Sequence, residues 1–466
     1  MKMHAAKYIP IMLLSAICFV SLVGEATAGL VPRSFDSHYP RIIYTQKQID
    51  LVALKIQKNE LPYTSAYEDL IRVADSYSNR THTATSDFHT PPYYDDQAEN
   101  AQAKEGLALD AHAAHTNALA YALSGETKYA QKAIYFLNAW ASIHKTITEN
   151  DVQGEATGTV LTASNLMSGF LIAADLLLGQ AIWSENEKTI FKLWVQQVFL
   201  PAASSIKTKT NNWGDWGTFG TASSYHILKD QTKLLLEIER MKARIDKYQD
   251  ADGFMPQEIR REANGLWYTY FALVPVTLSA QLAYNTTGED LFHYESANGK
   301  KIQKALNCLY YYIFHKSEWP WYPMKDSAPG RDAPCDLFEA MNPYYNNQYE
   351  TYTSSFRPVK GDYKGSRVSH LGWSFPTLMK TTDDLVNTDK KNIAISSQIA
   401  YYNPIQEKII FMNEVKNLPC FLFDAYGKMV KKNNTSDQYM DISDMPTGYY
   451  FLKVAGQILK IIRIKS

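Results

Sequence analysis

The sequence predicts a mainly α chain, an α/α toroid (an incomplete barrel of helical hairpins), followed by a small antiparallel β-sandwich domain. Three observations predict it. From about Ile42 to Leu378 apolar residues recur at helical spacing, in segments joined by short polar connections. After about Thr382 the pattern becomes short β-type runs separated by Asn, Gly and Pro. The helices carry no strict repeat of the kind solenoids show.

The 466 residues suffice for one large domain and a smaller one. With 45% apolar and 20% charged residues, the chain buries a sizeable core. Its 47 basic and 48 acidic side chains cancel, which removes the electrostatic case for a nucleic-acid partner. The 32 Tyr and 9 Trp exceed what a core needs, and rings with a polar edge suit a sugar-binding cleft.

At the N-terminus, Lys2 and Lys7 precede the apolar run IPIMLLSAICFVSLV, which ends in small residues at EATA. That order predicts an export signal over residues 1–28, cleaved after Ala28. The run is short for a membrane span, and no later segment reads as one. Cys18 sits in a poor lipobox because Ile17 replaces a small residue, so export is expected rather than lipid anchoring. GLVPRS, residues 29–34, resembles a protease-tag scar. Cys308, Cys335 and Cys420 remain after cleavage. They make no disulfide framework, separate buried thiols being the expected state and a Cys308–Cys335 bond the alternative, and no CxxC or HExxH spacing points to a metal. No cofactor is expected.

Within the helical region, HTNALAYALSG and YAQKAIYFLNAWASI read as a helical hairpin, with Gly125 stopping the first helix. SENEKTIFKLWVQQVFL opens with Ser184 and Glu187 in capping-box spacing. Ile190, Leu193, Trp194 and Val198 then form its expected apolar stripe. HTPPYYDDQ is marked as a loop by its prolines. Tyr93, Tyr94, Asp95 and Asp96 there are expected either in a lid over a cleft or in a plain surface turn.

Two stretches carry candidate chemistry. TNNWGDWGTFG, residues 210–220, combines amides, aromatics and glycines, and its glycines argue against a helix interior. It is expected to be a rigid loop forming one wall of a cleft. In PQEIRREANGLWYTYFALVP, Arg261 and Tyr268 lie seven residues apart, which returns them to nearly the same helix face about 10 Å apart. A guanidinium so placed can stabilise a phenolate. Tyrosine, with an ordinary pKa of about 10, needs such help to act as a base near neutrality.

The pattern R-x6-Y-x3-AL-x-P, an apolar helix and then GEDL resembles the central motif of alginate lyases of the α/α-toroid type. HYPRIIYTQKQIDLVALKI, DLFEAMNPYY and HLGWSFPTLM extend the similarity over most of residues 40–380. The resemblance implies that Tyr268 is the catalytic acid and base and that Arg261 lies beside it. NNW falls where the family writes Asn-Asn-His, so Asn212 matches the asparagine that binds the substrate carboxylate. Trp213 departs from the family histidine. His226, His112 or His115 is a candidate to replace it, His226 as a catalytic group and the other two as substrate contacts. Asn211, Trp213, Trp216 and Tyr270 complete the expected substrate-binding set.

What the resemblance implies is elimination at an acidic β-1,4-linked polyuronate, without metal. Donors at the uronate carboxylate stabilise the enediolate formed when the C5 proton leaves. In mannurono- and glucuronosyl units the C5 proton and O4 share a face, so one tyrosine serves as base and acid. Loss of the family histidine points to that syn case. Two rival readings remain at this point. One is a glycoside hydrolase on a similar toroid using paired carboxylates such as Asp215 and Glu258; the other is a non-catalytic glycan-binding surface protein.

YYNPIQEKI, LFDAYGKMV and DISDMPTGYYFLKV, with a basic end, resemble the C-terminal sorting domain of type IX secretion substrates in Bacteroidota. That implies a secreted or surface passenger, with the secretion machinery as a partner. The expected organisation is a signal over 1–28, a catalytic toroid over 35–385 and a sorting domain over 394–466.

Overall fold

The computed structural model describes residues 38–92, 95, 97–150, 154, 156–321, 335–361, 371–380, 400–403, 407–411, 418–424, 428–454 and 457–463. The signal-type segment 1–28, GLVPRS, and Tyr93, Tyr94 and Asp96 of the Pro-marked loop lie outside the described residues. The chain divides into two compact units between Thr381 and Thr382.

The first unit is built of helices: α1 (Gln46–Gln57), α2 (Tyr63–Ser76), α3 (Gln97–Ser124), α4 (Thr127–Ile143), α5 (Thr159–Leu166), α6 (Ser168–Leu177), α7 (Glu185–Trp194) and α8 (Leu200–Ile206). After these come α9 (Asn212–Ile227), α10 (Gln231–Lys247), the short α11 (Pro256–Ile259), α12 (Gly265–Thr287), α13 (Ile302–Phe314) and α14 (Cys335–Met341). Neighbours in sequence pack as hairpins, among them α1 with α2, α3 with α4, α8 with α9, α9 with α10 and α12 with α13. Two residue pairs, β1 (Asp87–Phe88) and β2 (Thr146–Ile147), run parallel beside them.

Local signals set many of the ends. Thr45 caps α1 by accepting the Gln48 amide, and Ser184 and Glu187 form the reciprocal capping box of α7. Gly125 ends α3 at φ 73°, a backbone state that costs glycine nothing. The apolar stripe of α7 is the expected one only in part, with Trp194 buried and Val198 half-buried. Ile190 and Leu193 are exposed, whereas Phe191, Trp194, Val195 and Phe199 are buried. A π-helical turn over Val195–Phe199 adds a residue to the turn, so Phe199 rather than Val198 comes onto the buried face.

At the centre of the unit, α3 is buried on all sides from Asp110 to Leu123, and Ala108, Ala111, Ala113, Ala114, Ala118 and Ala120 let α4 and α6 approach closely. Its Asp110 is fully buried yet bonded throughout: Arg80 Nε and Nη2 donate at 3.0 and 2.8 Å, the Thr83 amide at 2.6 Å and Trp140 Nε1 at 3.0 Å. The stretch Thr159–Leu177 is, against expectation, long and apolar enough to cross a membrane by composition. Instead, 83% of its most apolar window is buried inside the helical unit.

The second unit is antiparallel. Strands β3 (Ala400–Asn403), β4 (Lys408–Phe411) and β7 (Tyr439–Asp441) form one sheet in the order β3-β4-β7. Strands β5 (Pro419–Asp424), β6 (Met429–Asn434), β8 (Gly448–Val454) and β9 (Gln457–Arg463) form the other, ordered β6-β5-β8-β9. Inward residues of both, including Ile409, Phe411, Leu422, Met440, Leu452 and Val454, share one core, as alternation along the strands requires. Cys420 is buried in this core, Cys335 is buried in the helical unit and Cys308 is half-buried there. Burial pushes the Cys308 thiol up to about 12, which disfavours its thiolate.

Candidate active site

The stretch NNWGDWG is helix, not loop. Asn211 stands at the N-cap with extended backbone, and α9 runs from Asn212 through both tryptophans. Its glycines answer a tertiary demand. A Cβ on Gly217 would lie 2.7 Å from the Lys207 amide nitrogen and 2.8 Å from the Ala203 carbonyl oxygen, and one on Gly214 would run into the Lys209 carbonyl. The helix therefore packs backbone to backbone against α8 and the turn that follows it, and this contact outweighs the local helix penalty of glycine.

Arg244 of α10 fixes the turn entering α9. Its Nε donates to Asp215 Oδ1 at 2.6 Å, Nη1 to the Lys209 carbonyl at 2.8 Å and Nη2 to the Asn211 carbonyl at 3.0 Å. Both side chains are nearly fully buried. Burial holds the Asp215 carboxyl above its ordinary value, opposed in part by the Arg244 guanidinium.

Glu258 of α11 holds the first turn of α9 from the other side. Its Oε1 accepts the Asn212 backbone amide and its Oε2 accepts Asn212 Nδ2, each at 2.7 Å. The carboxylate thus does the capping that Asn211's side chain does not. Glu258 and Asn212 are both 1% exposed, and Asn212 Oδ1 is buried without a hydrogen-bond partner. Burial pushes Glu258 up to about 7, opposed by the bonds from Asn212 and the charge of Arg261 and reinforced by Asp215.

Arg261 lies three residues after Glu258, its amide bonded to the Glu258 carbonyl at 3.0 Å. Its guanidinium lies 4.9 Å from the centroid of the Tyr268 ring. Both residues are half-buried, Arg261 in the turn before α12 and Tyr268 in that helix's first turn. The pair expected from the seven-residue spacing therefore meets, although one partner precedes the helix. Since α9 packs on α12, Glu258 joins Asn212 to the Arg261–Tyr268 segment.

Other expected site residues lie elsewhere. Trp216 is fully buried against Phe219 and Phe271, with ring centroids at 6.4 and 5.7 Å, so it is a core anchor rather than a sugar platform. Tyr270 is also fully buried and donates to Asp336 Oδ1 at 2.8 Å. His112 and His115 are buried on α3, bonded to the Tyr77 and Tyr44 hydroxyls at 2.8 and 2.9 Å. His226 is buried at the far end of α9. Its Nε2 meets Asp175 Oδ1 at 2.9 Å, while Asp175 Oδ2 accepts the amides of Arg41 and Ile42. Each histidine ties the helical unit together through these bonds. Trp213 is half-buried, its ring reaching the left-handed Gly158 before α5. Asn211 is half-buried, its carbonyl accepting from Arg244 and from the Gly214 amide.

Burial also gives His115 a role in acid stability. Burial and the neighbouring His112 lower it to about 3, against 6.5 in the unfolded chain. A base depressed on folding contributes stability that is present above the unfolded value and lost as pH falls through 6.5 towards 3. Melting temperature is expected to drop between pH 7 and pH 5, and less steeply in His115→Gln; equal slopes would assign the acid sensitivity to other groups.

The rival carboxylate pair is committed elsewhere, Asp215 to Arg244 and Glu258 to Asn212. Sequence reasoning had Glu258 in view only as a hydrolase acid and missed Arg244. Neither its position on an amphipathic helix nor its spacing marks Arg244 as the fastener of α9.

The helical unit has the fold of the toroidal polysaccharide lyases. The chain belongs to the alginate lyase family, whose model matches residues 57–319. Residues 400–464 match the secretion system C-terminal sorting domain, which indicates secretion or a cell-surface location. Among solved structures, an alginate lyase from Bacteroides ovatus is 22% identical, with a TM-score of 0.59 over 72% of this chain and 99% of that one. A tetrasaccharide complex of alginate lyase A1-III with a tyrosine changed to phenylalanine is 15% identical, with a TM-score of 0.58 over 75% and 99%. A second tetrasaccharide complex of that enzyme, with a histidine changed to alanine, is 15% identical, with a TM-score of 0.57 over 74% and 96%. Alginate lyase A1-III is an enzyme of Sphingomonas species A1. No curated protein matches the chain.

Proposed function

We propose that this polysaccharide lyase cleaves an acidic β-1,4-linked polyuronate, polymannuronate or glucuronan, by syn β-elimination. The observation that carries the reading is the Arg261 guanidinium over the Tyr268 ring, three residues after the Glu258 that clamps Asn212. Arg261 and the Asn212 amide stabilise the negative charge that spreads onto the uronate carboxylate as C5 loses its proton. Tyr268 takes that proton and returns one to O4 as the C4–O4 bond breaks. The electron pair of the C5–H bond becomes the C4=C5 double bond, so the balance calls for neither water nor a metal.

Trp213 in the place of a histidine supports the syn course, because no separate base is then needed on the opposite face. Its half-buried ring is assigned to a neighbouring sugar, with Asn211 beside it. The sorting domain supports delivery of the enzyme to the cell surface or the medium, where such polymers are met.

Mass spectrometry of the products tests the reaction class. New non-reducing ends lighter by one water than hydrolytic ends are expected. Saturated ends carrying an added water would replace elimination by hydrolysis.

A further inference from the structure

We infer that Glu258 is a positioning residue for catalysis, orienting the Asn212 carboxamide towards the substrate carboxylate. The inference rests on the reading above of Asn212 as the carboxylate-binding amide. An asparagine amide can point either of two ways, with oxygen and nitrogen exchanged, and only its hydrogen-bond partners decide. Here one partner decides. Glu258 Oε2 takes Nδ2 at 2.7 Å and Oε1 takes the backbone amide of the same residue at 2.7 Å, so carboxamide and helix start are held by one rigid two-oxygen fork.

Three features separate this from ordinary capping. First, an N-terminal amide needs only one acceptor, and the second oxygen of Glu258 is spent on a side chain that a cap does not require. Second, Asn212 Oδ1 is left buried without a partner among the described residues, so within them no other bond fixes the amide's orientation. Third, the same glutamate is three residues before Arg261 and bonds its amide through the Glu258 carbonyl. One short helix therefore sets both groups assigned to the uronate carboxylate. Facing Glu258 are Asp215 of α9, which Arg244 holds, and Arg261 of the following turn.

A substrate carboxylate needs an N–H from Asn212, not its oxygen. The fork keeps Nδ2 in one place and leaves its second hydrogen to donate. In Glu258→Gln, an amide replaces one of the two acceptor oxygens and can no longer receive both donors, although the shape is kept.

The test is a cycle on the full chain: wild type, Glu258→Gln, Asn212→Ala and the double variant, with initial rates of unsaturated product and a melting curve for each. Glu258→Gln is expected to lower kcat about 10-fold or more in the parent and less than about 2-fold further in the Asn212→Ala background. The melting temperature should fall by similar amounts in both backgrounds, because the backbone amide of residue 212 is present in each. Equal losses of rate in the two backgrounds would overturn the inference and leave Glu258 a cap.

A binding arm covers the case in which Asn212→Ala is too slow to measure. A mannuronate trimer titrated into Tyr268→Phe should bind several-fold more tightly than to Tyr268→Phe/Glu258→Gln. Equal affinities would overturn the inference. Full activity of Tyr268→Phe would instead sink the proposed reaction, and the rate cycle between Glu258 and Asn212 would still be readable.

Discussion

Tyr268→Phe is expected to lower kcat by about three orders of magnitude with little change in KM. The substitution removes one hydroxyl and keeps the ring, so the contact with the Arg261 guanidinium, 4.9 Å from the centroid, persists. Tyr268 is half-buried in the first turn of α12, where phenylalanine is equally at home. Stability should therefore change by well under about 1 kcal/mol, as for surface-proximal substitutions generally. A loss confined to kcat is the signature of a group used only in the transition state. Initial rates over a range of polymer concentrations, with a melting curve on the same sample, separate this from misfolding. A variant with more than a tenth of the parent kcat would remove Tyr268 from the acid–base role.

Arg244→Ala is expected to be the most damaging single change to the fold near the site. It strands Asp215, 5% exposed and within 2.6 Å of the guanidinium, as a buried charge without compensation. Breaking one partner out of such a pair costs about 3–5 kcal/mol. The carbonyls of Lys209 and Asn211 lose their donors as well, so the turn that sets the start of α9 loosens. Calorimetry should show the helical unit melting several degrees lower, with activity reduced because Asn212 sits at that start. Adding Asp215→Asn should recover part of the loss by removing the stranded charge; no recovery would mean that the carbonyl bonds, rather than the charge, dominate.

Local chemistry made much of the fold legible. The capping box at Ser184, the stop at Gly125 and the strand-and-turn rhythm after Thr382 each depend on a few adjacent residues, and each stands in the structure. The Arg261–Tyr268 contact also stands, but through the turn that leads into α12 rather than through the helical spacing that suggested it. What was not legible depends on partners far away in the chain. Gly214 and Gly217 look like helix breakers until the backbone of residues 203–209 is seen against them. Trp216 and Tyr270 look like cleft aromatics, but α9 and α12 are buried on most sides and show little amphipathic pattern, so periodicity does not say which face meets solvent. His112, His115 and His226 look like proton carriers until Tyr77, Tyr44 and Asp175 arrive from other helices. The Glu258 fork on Asn212 spans 46 residues and has no sequence signature at all.

Ultraviolet absorbance on separate incubation with polymannuronate, polyguluronate and glucuronan tests the central claim most directly, because the C4=C5 double bond conjugated to the carboxylate absorbs and saturated sugars do not. Absorbance is predicted to rise with polymannuronate or glucuronan, where the C5 proton and O4 share a face, and to stay flat with polyguluronate. A rise on polyguluronate alone would contradict syn elimination by Tyr268 and require a second acid–base group on the opposite face.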